Sequence, residues 1–179
     1  LFTAGDSREP ELAGIWGAVV GSFFTMIVTL ALSFPIAVAS AVYLEEFAPK
    51  NKWTQMIEVN INNLAAVPSI VYGVFGLGFF IYFVGAEIDQ ALFPEALPSP
   101  TFGTPGLLWA SVTLALLTLP VVIVATEEGL ARIPRNLREG SLALGATKAE
   151  TLWRVVLPMT SPAMMTGLIL AVARAAGEV

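Results

Sequence analysis

Long runs of uncharged, apolar residues alternate with charged connectors along this chain, and the lengths of those runs set the architecture. The first runs from Leu12 to Leu44, longer than the roughly 20 residues that cross a bilayer as an α-helix. Such a helix either tilts and projects past the lipid or kinks at Pro35, whose ring clashes with the preceding turn. Gly17 and Gly21 form a small-xxx-small pair near its start, a weak sign of helix contact. The second run, about 59–84, opens with Asn60, Asn62 and Asn63 and continues through Pro68, Ser69, Gly73, Gly76 and Gly78. Broken, glycine-rich helices at membrane depth are tolerated against other protein or a watery cavity. This helix is therefore expected to face a bundle interior, with Pro68 and Ser69 on a pathway through it; the alternative is a plain packing helix. The third run, about 106–126, follows Pro105 and contains Pro120, the first of these suited to an opening helical turn. The fourth, about 160–178, follows Pro158 and includes Pro162. The pattern predicts an all-α polytopic transmembrane helix bundle with four spans, at about 14–44, 59–84, 106–126 and 160–178.

The connectors differ in sign. Residues 1–13 are polar, with Asp6, Arg8, Glu9 and Glu11, and 45–52 is a short charged link containing Pro49. The loop 87–105 holds Glu87, Asp89 and Glu95 among Pro94, Pro98, Pro100 and Pro105, and has no Lys or Arg. The segment 127–156 instead carries Arg132, Arg135, Arg138, Lys148 and Arg154. Cytoplasmic loops are enriched in Lys and Arg, so 127–156 is expected inside and the acidic loop outside. Lys50 and Lys52 then also fall inside, as the alternation of four spans requires. Glu127 and Glu128 do not form an acid/base pair, since adjacent helical residues point about 100° apart.

Within the basic segment, 136–156 has its own helix punctuation. Asn136 precedes Glu139 by three residues and Thr147 precedes Glu150 by three, the spacing of a capping box. Gly145 stands where a glycine closes a helix in the left-handed conformation. Two short helices are expected, about 137–144 and 148–156. On the first, Leu137, Gly140, Ser141 and Leu144 share a face by the i, i+3, i+4, i+7 rule. Two leucines flank two very small residues, a shape suited to insertion into a cleft; the bland alternative is a solvated amphipathic loop.

Composition narrows the chemistry. The 179 residues are 56% hydrophobic and 13% charged, against about a quarter charged in soluble domains. With no Cys and no His, there is no thiolate or imidazole metal site, no disulfide framework and no His-based catalysis; no catalytic residue, metal or cofactor is expected. The sequence GATK at 145–148 lacks the spacing of a phosphate-binding loop, and Ala149 follows the lysine, so ATP binding by this chain is not expected. Nothing resembles a signal peptide. The Leu1 start and the Val179 end suggest a fragment of a longer permease domain.

Arg174 is the cation placed within a span rather than at a loop edge. If the helix starts near Ala163, Arg174 lies about 16 Å deeper at 1.5 Å per residue, a depth where ionisable groups are costly and functional. Its planar fork of donors matches a tetrahedral oxyanion. Glu178, four residues on and so on the same helix face, is expected to pair with it at rest. The competing reading is a buried ion pair that only locks two helices together.

These residues carry a family resemblance. The stretch from Glu139 to Pro158 resembles the EAA loop of ABC-importer membrane subunits, with Glu139, Gly145, Leu157 and Pro158 in register and Val155 at the Ile position. Gly140 and Ser141 replace the two alanines but stay small. The phrase PSIVYGVFGLG at 68–78 and the RAAGEV ending, with Arg174, Gly177 and Glu178 matching, are similar to PstA-like phosphate transport system permease proteins. Val179 stands where that family has Thr. The resemblance runs from about Gly14 to Val179 and implies the type I ABC importer permease class, with a further span on each side of the sequence. It implies ATPase coupling through Leu137, Glu139, Gly140, Ser141, Leu144, Gly145 and Ala146, and a substrate pathway with Arg174, Glu178, Pro68 and Ser69. The implied partners are cytoplasmic ATPase subunits, a second homologous permease, an extracytoplasmic phosphate-binding protein and membrane lipid, with no nucleic acid. The implied location is the cytoplasmic membrane of a prokaryote, and the implied cargo is inorganic phosphate. Another oxyanion or small solute is the alternative, and a channel or secondary transporter is a more distant one.

Overall fold

In lipid a backbone must satisfy its own N–H and C=O groups, and a helix does this within one segment. The computed structural model, which describes residues 14–96 and 99–179, follows that rule: its regular elements are all helical. Asp6, Arg8, Glu9, Glu11, Leu12 and Pro98 lie outside the described residues. Helix α1 (Trp16–Val42) runs into a π-helical turn, Tyr43–Phe47. Helix α2 (Lys52–Ala65) is followed by α3 (Ser69–Phe75), a π-helical stretch Gly76–Gly85 and α4 (Ala86–Leu92) as one rod. A short 3-10 turn, Pro94–Ala96, precedes α5 (Leu107–Ala131) and α6 (Arg135–Ala143). Helix α7 (Lys148–Thr151) passes through a π-helical turn, Leu152–Val156, into α8 (Leu157–Ala176). Four helices among the described residues are long and apolar enough to cross a membrane: Trp16–Phe47, Ser69–Leu92, Leu107–Ala131 and Lys148–Ala176.

Three boundaries differ from the sequence expectation, each for a physical reason. The run at 59–84 is two elements, because Pro68 ends the helical path of α2; its ψ of 140° starts α3 afresh at Ser69, as proline disfavours helix in the residue before it. Asn60 and Asn62 belong to α2, where their amides donate to the carbonyls of Met56 and Glu58 on an exposed face. Glu87 and Asp89, expected in a loop, lie in α4. Finally, no break separates the second short helix from the last span: Pro158 lies inside the continuous rod, directly after the π-helical turn Leu152–Val156. The rod therefore begins at Lys148 rather than near Ala163, and the depth reckoned for Arg174 from Ala163 has no anchor.

Hydroxyl residues enter these apolar helices by bonding to their own backbone. Thr25, Ser40, Thr113, Thr160 and Thr166 each donate to the carbonyl four residues back, which satisfies the polar group without a partner helix.

The described chain forms two compact units. One combines the first half of α1, the rod α3–α4, the first part of α5 and the last few residues. Here the Asp89 carboxylate is buried and accepts from the backbone N–H groups of Phe102 (2.8 Å) and Gly103 (2.7 Å). The indole of Trp109 donates to the Phe102 carbonyl at 2.6 Å and stacks on Phe80. The loop before α5 is thus held on the end of α4. The other unit combines the second half of α1, α2, the rest of α5, α6, α7 and most of α8. In it α5 and α8 pack closely: a Cβ at Gly129 would overlap the Ala163 methyl, and one at Gly167 would press on Ala125 and Val122.

Candidate functional site: the α6 face and the Arg174 region

Helix α6 starts directly after Pro134, one residue before the expected N-cap. Asn136 therefore lies inside the helix, and the capping box expected between Asn136 and Glu139 is absent; proline supplies the start instead, its fixed φ preparing the turn. The far end forms as the sequence predicts. Gly145 has φ of +90°, a conformation that costs residues with a Cβ. Its N–H donates to Leu142 O and the N–H of Ala146 donates to Ser141 O, the pairing of a Schellman turn. Thr147 and Glu150 then form the expected capping box: the Thr147 hydroxyl accepts from Glu150 N–H, and Glu150 accepts from Thr147 N–H.

No residue of α6 is buried. Leu144 is 91% exposed and Leu137 40%, with Glu139, Gly140 and Gly145 also exposed. Ser141 and Ala146 are half-buried, since the Ser141 hydroxyl turns inward to meet that of Thr151 at 2.9 Å. A Cβ at Gly140 or Gly145 would meet nothing within 4 Å. The small residues on this face are thus not required by packing within the chain. An apolar, small-residue face with a leucine at each end is left open to something else.

The four residues expected on a pathway are each placed within their own compact unit. Arg174 Nη1 donates to Ala65 O at 3.1 Å, capping the last carbonyls of α2 as a cation at a helix C-terminus does. One of its five donors is committed in this way. Helix α8 ends at Ala176, so Glu178 lies in the closing turn and the same-face relation expected for Arg174 and Glu178 does not extend to it. Glu178 and Ser69 instead line one cavity of about 370 Å3, with Tyr72, Gly76, Trp109 and Thr113. Pro68 is exposed at the start of α3.

Sequence reasoning missed the ion pair of Arg138 and Glu46. Arg138 Nη2 lies 2.6 Å from Glu46 Oε1 and donates to Leu130 O at 2.9 Å, and both side chains are about four-fifths buried. Arg138 is one of two arginines in α6, with Arg135 three residues before it; its partner lies 92 residues away and no local pattern marks it.

Comparison with known proteins gives a coherent result. The family described as "Binding-protein-dependent transport system inner membrane component" matches residues 12–179. A probable ABC transporter permease protein, YqgI of Bacillus subtilis, is 33% identical over 178 residues, covering 99% of this chain and 55% of that protein. The phosphate transport system permease protein PstC of Pasteurella multocida is 32% identical over 169 residues, covering 89% and 52%. The phosphate transport system permease protein PstA 1 of Mycobacterium tuberculosis (H37Rv) is 34% identical over 170 residues, covering 95% and 49%. The chain spans about half the length of these relatives.

Proposed function

Because this chain belongs to the binding-protein-dependent transport system inner membrane component family, a family of multi-pass inner-membrane proteins, we propose that it works as a permease subunit of an ATP-driven importer whose cargo is inorganic phosphate. The observation that carries the permease role is the α6 face: a helix with no buried residue, ended by a Gly145 turn with open space around it. Such a face suits a cytoplasmic ATPase groove that receives Leu137, Gly140 and Leu144, with Glu139, Ser141, Gly145 and Ala146 around them. ATP-driven closure of the ATPases then moves α6, and the spans alternate between outward and inward access. No bond is made or broken in this chain; a separate ATPase does the hydrolysis. A second permease and an extracytoplasmic binding protein complete the assembly.

Phosphate is supported by the names of the PstC and PstA relatives and by Arg174, whose guanidinium keeps donors beyond the one given to Ala65. A planar fork of that kind suits a tetrahedral oxyanion. The Bacillus relative is named without a substrate, which supports another oxyanion or small solute as the second reading. The deciding experiment is uptake of radiolabelled phosphate into vesicles holding the full-length permease and its partners. ATP-dependent uptake competed by excess phosphate but not by sulfate is the expected result. Arg174→Lys should lower uptake per assembled complex while leaving its abundance unchanged; equal uptake in that variant removes Arg174 from the path. Sidedness is checked by cysteines at Ala91, expected to react with impermeant reagent from outside, and at Ala149, expected to be shielded.

A further inference from the structure

No residue of helix α6 is fully buried, and two polar ties reach from it to the membrane spans. At its C-terminal half, Ser141 meets Thr151 of α7, whose rod continues into α8. At its N-terminal half, Arg138 reaches two other spans at once. Its Nη2 contacts Glu46 Oε1 at 2.6 Å, and Glu46 lies in the π-helical turn Tyr43–Phe47 that ends the first span. The same nitrogen donates to Leu130 O in the last turn of α5, and Nη1 lies 3.5 Å from Ile133 O just beyond it.

We propose that Arg138 is the positioning residue through which displacement of α6 is delivered to the first and third spans, with Glu46 as its counter-charge. This rests on the coupling role proposed for α6. The chemistry favours transmission over simple anchoring at the surface. The side chains are 21% and 20% exposed, so water screens the pair little, and a charge-assisted bond of this length is among the stronger polar contacts. Leu130 O also accepts from the Ile133 N–H, and the carbonyls at the end of α5 carry the negative end of the helix dipole, so a guanidinium is held there as well as by the carboxylate. A planar fork reaches three acceptors from one residue; an ammonium is a point charge on a flexible stem. Arg138 Nε is buried without a partner, so the terminal nitrogens alone fix the group's orientation. Glu46 and Arg138 also border a small cavity of about 130 Å3 with Leu142, Lys148, Thr151 and Leu152.

The test uses the full-length permease assembled with its ATPase subunits in proteoliposomes. Residues 1–179 contain no cysteine; any elsewhere in the protein is replaced by serine. A single Ala110→Cys in the cavity lined by Ser69 and Trp109 reports span movement as the ATP-dependent change in its maleimide reaction rate. In Arg138→Gln and Arg138→Lys the ATPase should still co-purify and hydrolyse ATP, while the ATP-dependent labelling change falls about tenfold, the scale of losing one charge-assisted bond. Glu46→Gln should lose less, because the carbonyl contacts remain. A wild-type labelling change in the assembled Arg138 variants overturns the proposal. Loss of assembly in both assigns Arg138 to folding and overturns it too. The coupling reading has its own control: Leu144→Asp should abolish ATPase association. If association survives that change, the coupling role of α6 fails and this proposal with it. If Leu144→Asp dissociates the ATPase but the Arg138 variants label normally, Arg138 alone is excluded.

Discussion

Helices α5 and α6 are neighbours in the chain and opposites in how they are held. Helix α5 buries Trp109, Ala115, Leu117, Val122, Ile123 and Leu130 together with Ser111, Thr118 and Thr126. Its second half meets α8 so closely that Gly129 has no room for a Cβ. Helix α6 has no fully buried residue, and Gly140 within it and Gly145 in the turn after it have open space around them. In the first helix small residues serve an internal contact, and in the second they leave a surface free. Glycine in an apolar or amphipathic segment thus carries two opposite meanings, and the space around it separates them. A helix fixed by packing resists displacement throughout its length, whereas one fixed by a few polar ties moves as those ties allow. The lever role proposed for α6 rests on that difference.

The largest effect is expected at the packed contact. Gly129→Leu places a branched side chain where the Ala163 methyl already sits, and overpacking of a close helix contact costs about 1–3 kcal/mol or more. The yield of detergent-stable protein should fall sharply. Ala163→Gly should partly restore it in the double variant, whereas Gly140→Leu, with nothing within 4 Å of its Cβ, should leave yield near wild type. Equal losses at Gly129 and Gly140 would erase the contrast between the helices.

A smaller effect is expected at the turn. Gly145→Ala forces a Cβ into φ of +90°, a cost of about 1–2 kcal/mol in the left-handed region, although no neighbouring atom blocks it. Faster amide exchange at Gly145 and Ala146, whose N–H groups close the turn on Leu142 and Ser141, is the measurement. Smaller again is Thr147→Ala, which removes the cap on Glu150 N–H; about 1 kcal/mol is typical for such a loss. Exchange should quicken at Glu150 while α5 stays protected.

How much of this was legible in the sequence follows the physics of each signal. Caps and turns are local, so the Gly145 turn and the Thr147–Glu150 box read directly, because each needs only three or four neighbouring residues. The Asn136 cap failed for the same local reason: Pro134 starts the helix two residues earlier, and a proline outranks an asparagine already inside the first turn. Helix α5 reaches Ala131, past the run expected at about 106–126, because Glu127 and Glu128 continue the helix beyond the apolar residues. In the run expected at about 59–84, hydropathy alone merged the end of α2 with α3, and Glu87 and Asp89 were expected in the loop that follows. Asp89 is accommodated in a helix because Phe102 and Gly103 supply its donors, a contact between elements that hydropathy does not encode. Arg174 was noticed for its charge, but its acceptor, Ala65 O, lies 109 residues away. The Arg138–Glu46 pair is equally remote in sequence. Long-range polar pairs need a fold before they can be seen.

The smallest effect on the chain itself is expected at Leu144, and it is the sharpest test of what α6 is for. A leucine 91% exposed contributes almost nothing to its own fold, and surface substitutions away from special features change stability by about 0.5 kcal/mol or less. Leu144→Asp should therefore leave yield, thermal stability and amide protection of α6 unchanged. If the face enters an apolar ATPase groove, the same change places a carboxylate where desolvation is costly. ATPase co-purification should then be lost, and with it ATP-dependent uptake. Leu142→Asp, at a leucine 41% exposed and off the Leu137–Leu144 face, is the control and should leave association largely intact. Equal loss at Leu142 and Leu144 would mean that any added charge disrupts this segment and that no particular face docks. Loss at Leu144 alone ties the function of α6 to the side of the helix that its own chain leaves uncovered.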